Sequence, residues 1–330
     1  MRVFRRSQVV GHEAAPHDIS EIPMVRPREA NELLRKDVGP ILVAVDGRPS
    51  GWHALEWAAA EAAVRQCSLR IVHSVNSHPV SWDVFGTFSA DQWDADSKEV
   101  GAFILREATD RAHAVCPALP ITTHLVVGPV AEAVLQATGY DTLIVLGRGH
   151  RSGRRRSLST SVDRLVARRA RRPVAVVELF DGSKRGNSAG RVVVAFDRTG
   201  VPAVALGYAF RAAQRRGVGL TTLHVWERGS TRLDTSIRDA LDACRDAFPQ
   251  VDVRQRFATG PACSVLVAES VGAALIVVAS RSHRLQRSAS HNLVADVLRS
   301  TRSPITIIGA GRRREKHDAG VHRRSAQASK

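Results

Sequence analysis

Between Gly147 and Ser161 the chain carries a glycine, an arginine-rich loop and a Thr160-Ser161 pair just before an apolar-periodic helix. A short apolar run ending in glycine (Thr142-Leu-Ile-Val-Leu-Gly147), a polar loop and then a helix start is how open α/β sheets build an anion site at their carboxyl edge. The chemistry expected there is electrostatic. Glycine lets backbone amides approach a phosphate, and Ser161 at a helix N-terminus meets the positive end of the helix dipole. Arg148, Arg151 and the run Arg154-Arg155-Arg156 add guanidinium groups, which grip phosphate bidentately, or else form a solvated basic surface. Covalent chemistry has no comparable support. The sequence offers no Ser-His-Asp order, no metal-spaced histidine cluster, no carboxylates paired in one loop and no Gly-Lys-Ser/Thr phosphate loop. No catalytic residue and no metal site is therefore expected.

The elements that must position this loop are legible as alternating strands and helices. Ile41-Leu-Val-Ala-Val45 reads as a buried parallel strand ending in Asp46-Gly47, and Ser50 as the cap of a helix with Ala54, Leu55, Trp57, Ala58 and Ala62 on its apolar face. Leu69 to Val75 is a second strand, followed by an aromatic loop (Trp82, Phe85, Phe88, Trp93) and a long helix to about Ala114. Ile121 to Val127 is a third strand, after which Gly128-Pro129 starts a helix with proline inside its first turn. The strand to Gly147 and one opening at Pro173 complete five, a spacing that requires right-handed crossovers and a parallel sheet covered on both faces.

The pattern then begins again. A polar, glycine-rich linker over residues 181–190 precedes Val192-Val-Val-Ala-Phe-Asp197. Ala44, Asp46, Ala54, Leu55, Ala58 and His73 recur at one constant offset as Ala195, Asp197, Ala205, Leu206, Ala209 and His224. Gly128-Pro129, Gly147 and Pro173 recur at a smaller offset as Gly260-Pro261, Ala279 and Pro304, which indicates an internal duplication. The expected division is a disordered arm over 1–38, a first domain over 39–180, the linker, a second domain over 191–309 and a disordered basic tail over 310–330.

Composition restricts the functional classes. With 330 residues, 44% of them apolar, the chain is globular, and no apolar run approaches the roughly 18 residues of a membrane span. Arg5-Arg6-Ser7 is not followed by an apolar segment of the roughly 7–15 residues an export signal needs, so a cytoplasmic protein is expected. Cys67, Cys116, Cys244 and Cys263 are too scattered for ligand pairs, and each lies in or near an expected helix, where it reads as a small buried hydrophobe and structural thiol. The net charge of +16 draws nucleic acid, anionic lipid or an acidic partner at low salt, or else belongs to a soluble arginine-rich surface with basic tails.

Ile41-Leu-Val-Ala-Val-Asp-Gly47 with Ala54-Leu55-x-Trp57-Ala58, and Leu143 to Gly147 through Ser161-Val162 to Pro173-Val-Ala-Val-Val177, resemble the universal stress protein family in its tandem form over roughly residues 39–309. The resemblance implies two five-stranded α/β sandwich domains of the Rossmann-like, adenine-nucleotide alpha hydrolase type, associated through their last strands. It also implies a regulatory role in stress response, and some members of the family bind ATP. The family motif Gly-x-x-Gly-x9-Gly-Ser/Thr falls on Gly147, His150 and Thr160-Ser161, so two of its glycines are replaced by bulkier residues. The same resemblance places Ala44, Asp46 and Ser74 beside the base or ribose. In the second domain Ala279, Ser282 and His291-Asn292 replace the motif and only Asp197 survives, so ATP is expected in the first domain alone.

Three classes compete on this reading: a nucleotide-responsive regulator, a nucleotide-free interaction protein using the arginine loop and tails, and a slow ATPase. The second makes its own prediction. If the loop grips a polyanion, binding of nucleic acid falls steeply with salt, shows no sequence preference, and weakens when Arg154, Arg155 and Arg156 are changed to Ala in a filter-binding titration.

Overall fold

A computed structural model describes residues 39–75, 90–138, 143–148, 162–170, 172–178, 190–196, 203–226, 235–269, 271–280, 297–298, 300, 301 and 303–309. The first half runs β1 (Ile41–Ala44), α1 (Pro49–Arg65), β2 (Leu69–Val75), α2 (Ala90–Val115), β3 (Ile121–Val127), α3 (Val130–Ala137), β4 (Leu143–Gly147), α4 (Val162–Arg169) and β5 (Val174–Val177). The second runs β6 (Val192–Phe196), α5 (Ala203–Arg216), β7 (Leu220–Trp226), α6 (Thr235–Ala247), β8 (Val253–Thr259), α7 (Ala262–Glu269), β9 (Leu275–Ser280) and β10 (Ile305–Gly309). Each half is a five-stranded parallel α/β unit, and together they form one ten-stranded sheet in the order β3-β2-β1-β4-β5-β10-β9-β6-β7-β8. The two halves meet where β5 and β10 pair antiparallel, with Val176 opposite Ile305 and Val174 opposite Ile307.

The strands form where apolar residues run without alternation, because both faces of the sheet are covered. Ile41 and Val43 pack against α1 and α2 on one face, whereas Leu42, Ile144 and Leu146 pack against α3 and α4 on the other. In the second half Val192 and Val194 meet α5 and α6, while Val193, Ile276 and Val278 share a core with Leu266 of α7. That core runs without a break across the join into the first half. The repeated sequence gives a repeated register: His73 of β2 stands opposite Leu125 of β3, and His224 of β7 stands opposite Phe257 of β8.

Local expectations needed correction at three places. Ser50 does not cap α1. The cap is Arg48, and the Asp46 carboxylate accepts the Arg48 backbone N–H at 3.1 Å, leaving Ser50 inside the first turn. Pro129 is itself the N-cap of α3, with an extended ψ of 125°, and so lies outside the first turn. Trp93 belongs to α2, whereas Trp82, Phe85 and Phe88 lie outside the described residues, as do both terminal arms and the linker up to residue 189.

Two predictions follow from the packing. Thr306 of β10 is fully buried, and its hydroxyl finds no partner among the described residues. Thr306→Val keeps the shape and removes that unpaired group, which stabilises the fold by about 1 kcal/mol in a urea titration. His224 is 2% exposed and stacks on Phe257, and burial pushes its pKa down to about 4. Its folded pKa lies below the unfolded value, so stability is full above about pH 6.5 and declines as the pH falls toward 4, by up to ~3 kcal/mol. His224→Phe removes this slope from a series of unfolding curves across that window.

Candidate functional site

β1 and β4 lie side by side, yet the chain leaves β1 toward α1 on one face and leaves β4 toward α4 on the other. Helices diverging from adjacent parallel strands open a crevice at the strands' carboxyl ends, where open α/β sheets take ligands. Ala44 closes β1 at this edge, half-buried. Two residues on, the Asp46 side chain is 54% exposed, with the Arg48 guanidinium 3.9 Å away. One oxygen of this carboxylate accepts the Arg48 N–H, and the group retains lone pairs for a second donor arriving from the crevice.

Ser74 and Gly128 clasp the neighbouring strands. The Ser74 hydroxyl donates to the Gly128 carbonyl, and the Gly128 N–H donates to the Val75 carbonyl at 2.9 Å. Gly128 adopts φ +127°, with open space where a Cβ would lie, so backbone conformation and not crowding selects glycine here. Gly260 repeats the device at φ +137° in the second half. Gly147 has the opposite reason. A Cβ there would collide with the Ser50 carbonyl and come within 3.0 Å of the Gly51 nitrogen, so glycine lets the first turn of α1 lie directly on the end of β4. Ala279 takes the equivalent place at the end of β9, half-buried.

Arg148 requires a correction. It was grouped with the basic loop, but it is 8% exposed and its guanidinium donates to the Glu178 carboxylate and to the Thr301 carbonyl of the other half. The group therefore ties β4, β5 and the segment before β10 together and does not face a ligand in this arrangement. A run of arginines gave no sign of this, because Glu178 and Thr301 approach Arg148 only through the fold. His150, Thr160, Ser161, Arg151, Arg154, Arg155 and Arg156 lie outside the described residues, as do Asp197, Ser282, His291 and Asn292 of the second half. Among the sequence-derived residues, the structure brings Ala44, Asp46, Ser74 and Gly147 to one edge. Sequence reasoning missed Gly128 as part of that edge, although its recurrence in both halves marked it.

Other reactive groups are held inert. The His73 ring N–H (Nδ1) donates to the Val45 carbonyl at 2.8 Å, which makes it a structural tie between β2 and β1. None of the four cysteines is in a disulfide; burial pushes the Cys244 thiol up to about 11 and raises Cys67 as well, so neither is a thiolate near neutrality. Among the described residues no group of three or more His, Cys, Asp or Glu side chains is placed to hold a metal ion. Nor is any helix among them long and apolar enough to cross a membrane.

Comparison with known proteins agrees with this architecture. The model of the universal stress protein family matches residues 38–178. The universal stress protein Rv2005c of Mycobacterium tuberculosis is 28% identical over 262 residues, which covers 74% of this chain and 88% of the relative. Rv2623 from the same organism is 26% identical over 265 residues, 73% of this chain and 86% of the relative. Among solved structures, a universal stress protein from Archaeoglobus fulgidus shares the fold with a TM-score of 0.64 at 19% identity, over 82% of this chain and 98% of that one. With two five-stranded halves, a matching family model over the first and relatives that span both, residues 38–178 belong to the universal stress protein family, and the chain as a whole is similar to universal stress proteins that extend across both halves.

Proposed function

We propose that the chain is a regulatory stress-response protein without catalytic activity, whose first half takes an adenine nucleotide weakly at the β1–β4 crevice and whose second half takes none. The observation that carries this reading is the half-exposed Asp46 carboxylate at the mouth of that crevice, fixed by the Arg48 N–H. In this reading Ala44, Asp46 and Ser74 flank the base. The Ser74 proton is committed to Gly128, so its oxygen offers an acceptor. Gly147 and His150 lie by the ribose and phosphates, and Thr160 and Ser161 by the outer phosphates, with Arg151 and Arg154 to Arg156 adding positive charge. Arg148 contributes to the frame alone. Binding is weak because a Cβ at Thr160 and an imidazole at His150 stand where the family motif has glycine.

The acting unit is the pair of domains, 39–180 and 191–309, joined through β5 and β10 and working in the cytoplasm. The net charge of +16 supports one further reading, in which the protein binds no nucleotide and docks an acidic partner or nucleic acid through the arginine loop and tails.

Mass spectrometry of nucleotide released on heat denaturation, followed by calorimetric titration with ATP, separates these readings. Weak binding is expected in the unmodified protein, none in Asp46→Ala, and roughly tenfold or tighter binding when His150 and Thr160 both become Gly. Protonation of His150 should strengthen binding as the pH falls through about 6.5. Absence of binding in every variant favours the docking reading. Hydrolysis of ATP above a buffer control, lost in Asp46→Ala, would replace the regulator with a slow ATPase.

A further inference from the structure

Helices α1 and α5 meet across the join between the halves, and their facing residues repeat. The offset that carries Ala44 to Ala195 also carries Trp57, Glu61 and Arg65 of α1 to Tyr208, Ala212 and Arg216 of α5. The Arg65 guanidinium lies 5.5 Å over the Tyr208 ring centroid and donates to the Tyr208 hydroxyl at 2.7 Å. Arg216 lies 5.9 Å over the Trp57 ring. These two cation–π contacts are the same contact made twice, once in each direction across the pseudo-twofold axis.

The carboxylate between them is not duplicated. Glu61 is 4% exposed and accepts Arg65 Nε at 2.6 Å on one oxygen and Arg216 Nη2 on the other. At the equivalent place on α5 stands Ala212, buried, which offers Arg216 only its carbonyl, at 3.1 Å. One acid from the first half thus serves a guanidinium from each half.

We propose that Glu61 is the recognition residue of this seam and makes α1 of a first half the surface that fits α5 of a second half. The argument is one of desolvation. A guanidinium removed from water needs a carboxylate partner, and taking that partner away leaves a buried charge that strongly destabilises the contact. Two α5 helices brought together in the same geometry would meet with two copies of Arg216 and no acid, since both would carry Ala212. Two α1 helices would balance their charges but would place Trp57 where Tyr208 now accepts a hydrogen bond from Arg65. The second half is thereby directed to a first half, in its own chain or in another copy, and turned away from its like.

The proposal rests on the paired-domain reading above, and urea unfolding of the full chain, followed by Trp fluorescence and by far-ultraviolet circular dichroism, separates the two. The unmodified protein is expected to unfold in one transition. Glu61→Ala should split it into two, with roughly a hundredfold loss in the equilibrium that couples the halves. The decisive variant is Glu61→Ala with Ala212→Glu, which moves the acid to the symmetry-related place between the same two arginines. Return of the single transition supports the proposal. Failure of the double variant to improve on Glu61→Ala, where Ala212→Glu alone is harmless, would mean that Glu61 acts only within α1 as the partner of Arg65 and would overturn it. If Glu61→Ala does not fold, recovery of folding in the double variant is the supporting result and continued failure the opposing one. Two independent transitions in the unmodified protein, insensitive to all these changes, would instead remove the paired-domain reading itself.

Discussion

The antiparallel hydrogen bonds between β5 and β10 are the constraint on which the rest of the molecule depends. Each half is a parallel sheet whose last strand is apolar throughout: Val174 to Val177 in one, Ile305 to Ile308 in the other apart from the buried Thr306. Left unpaired, either strand would present free backbone groups and buried-type side chains to water, which is a template for association with any other strand. Pairing the two satisfies both edges at once. It also lets the core beneath α3 and α4 continue beneath α7, so the halves share apolar interior as well as backbone bonds.

Helix α1 links this join to the candidate site. Its first turn rests on the end of β4 because Gly147 has no side chain, and its last turns carry the buried Glu61 and Arg65 against the second half. Arg148, one residue beyond Gly147, also crosses to the second half, through the Thr301 carbonyl. The crevice is therefore bordered by two elements that are each anchored on the other domain. In the second half Ser280 and Gly309 stand where the repeat would place the Arg148 and Glu178 pair, so this anchoring is one-sided.

The fold was legible in the sequence because fully buried strands read as unbroken apolar runs, and because Gly128-Pro129 and Gly260-Pro261 punctuate both copies alike. The errors have physical causes. Ser50 matches the usual preference for a capping side chain, but the helix already begins at Pro49, so Ser50 falls inside the first turn and the N-cap residue, Arg48, makes no side-chain cap hydrogen bond. Arg148 was read with its charged neighbours, since a run of arginines reads as solvated surface. Its partners stand 30 and 153 residues away in sequence. Of the candidate site, the strand-end residues Ala44, Asp46, Ser74 and Gly147 could be brought to one edge from the sequence because parallel strands fix where their carboxyl ends lie, whereas the loop residues from His150 to Ser161 lie outside the described residues. The seam between α1 and α5 was visible only as a repeated spacing of aromatic and arginine. That it joins the halves follows from the sheet order, which one copy of the pattern does not encode.

The pairing of β5 with β10 also sets a schedule. β10 is the last strand of the sheet to be synthesised, and roughly 130 residues separate it from β5, so at 5–20 residues per second the first half waits on the order of ten seconds with its Val174–Val177 edge uncovered. During that interval a neighbouring nascent chain offers the same strand. The four-residue length of β5 and the residues around it (Arg171, Arg172 and Pro173 before, Glu178 after) limit the exposure, since charge and proline flanking a short apolar strand oppose edge-to-edge growth. Glu178 then has two duties, as a guard at the end of an open strand and, in the folded chain, as the largely buried partner of Arg148.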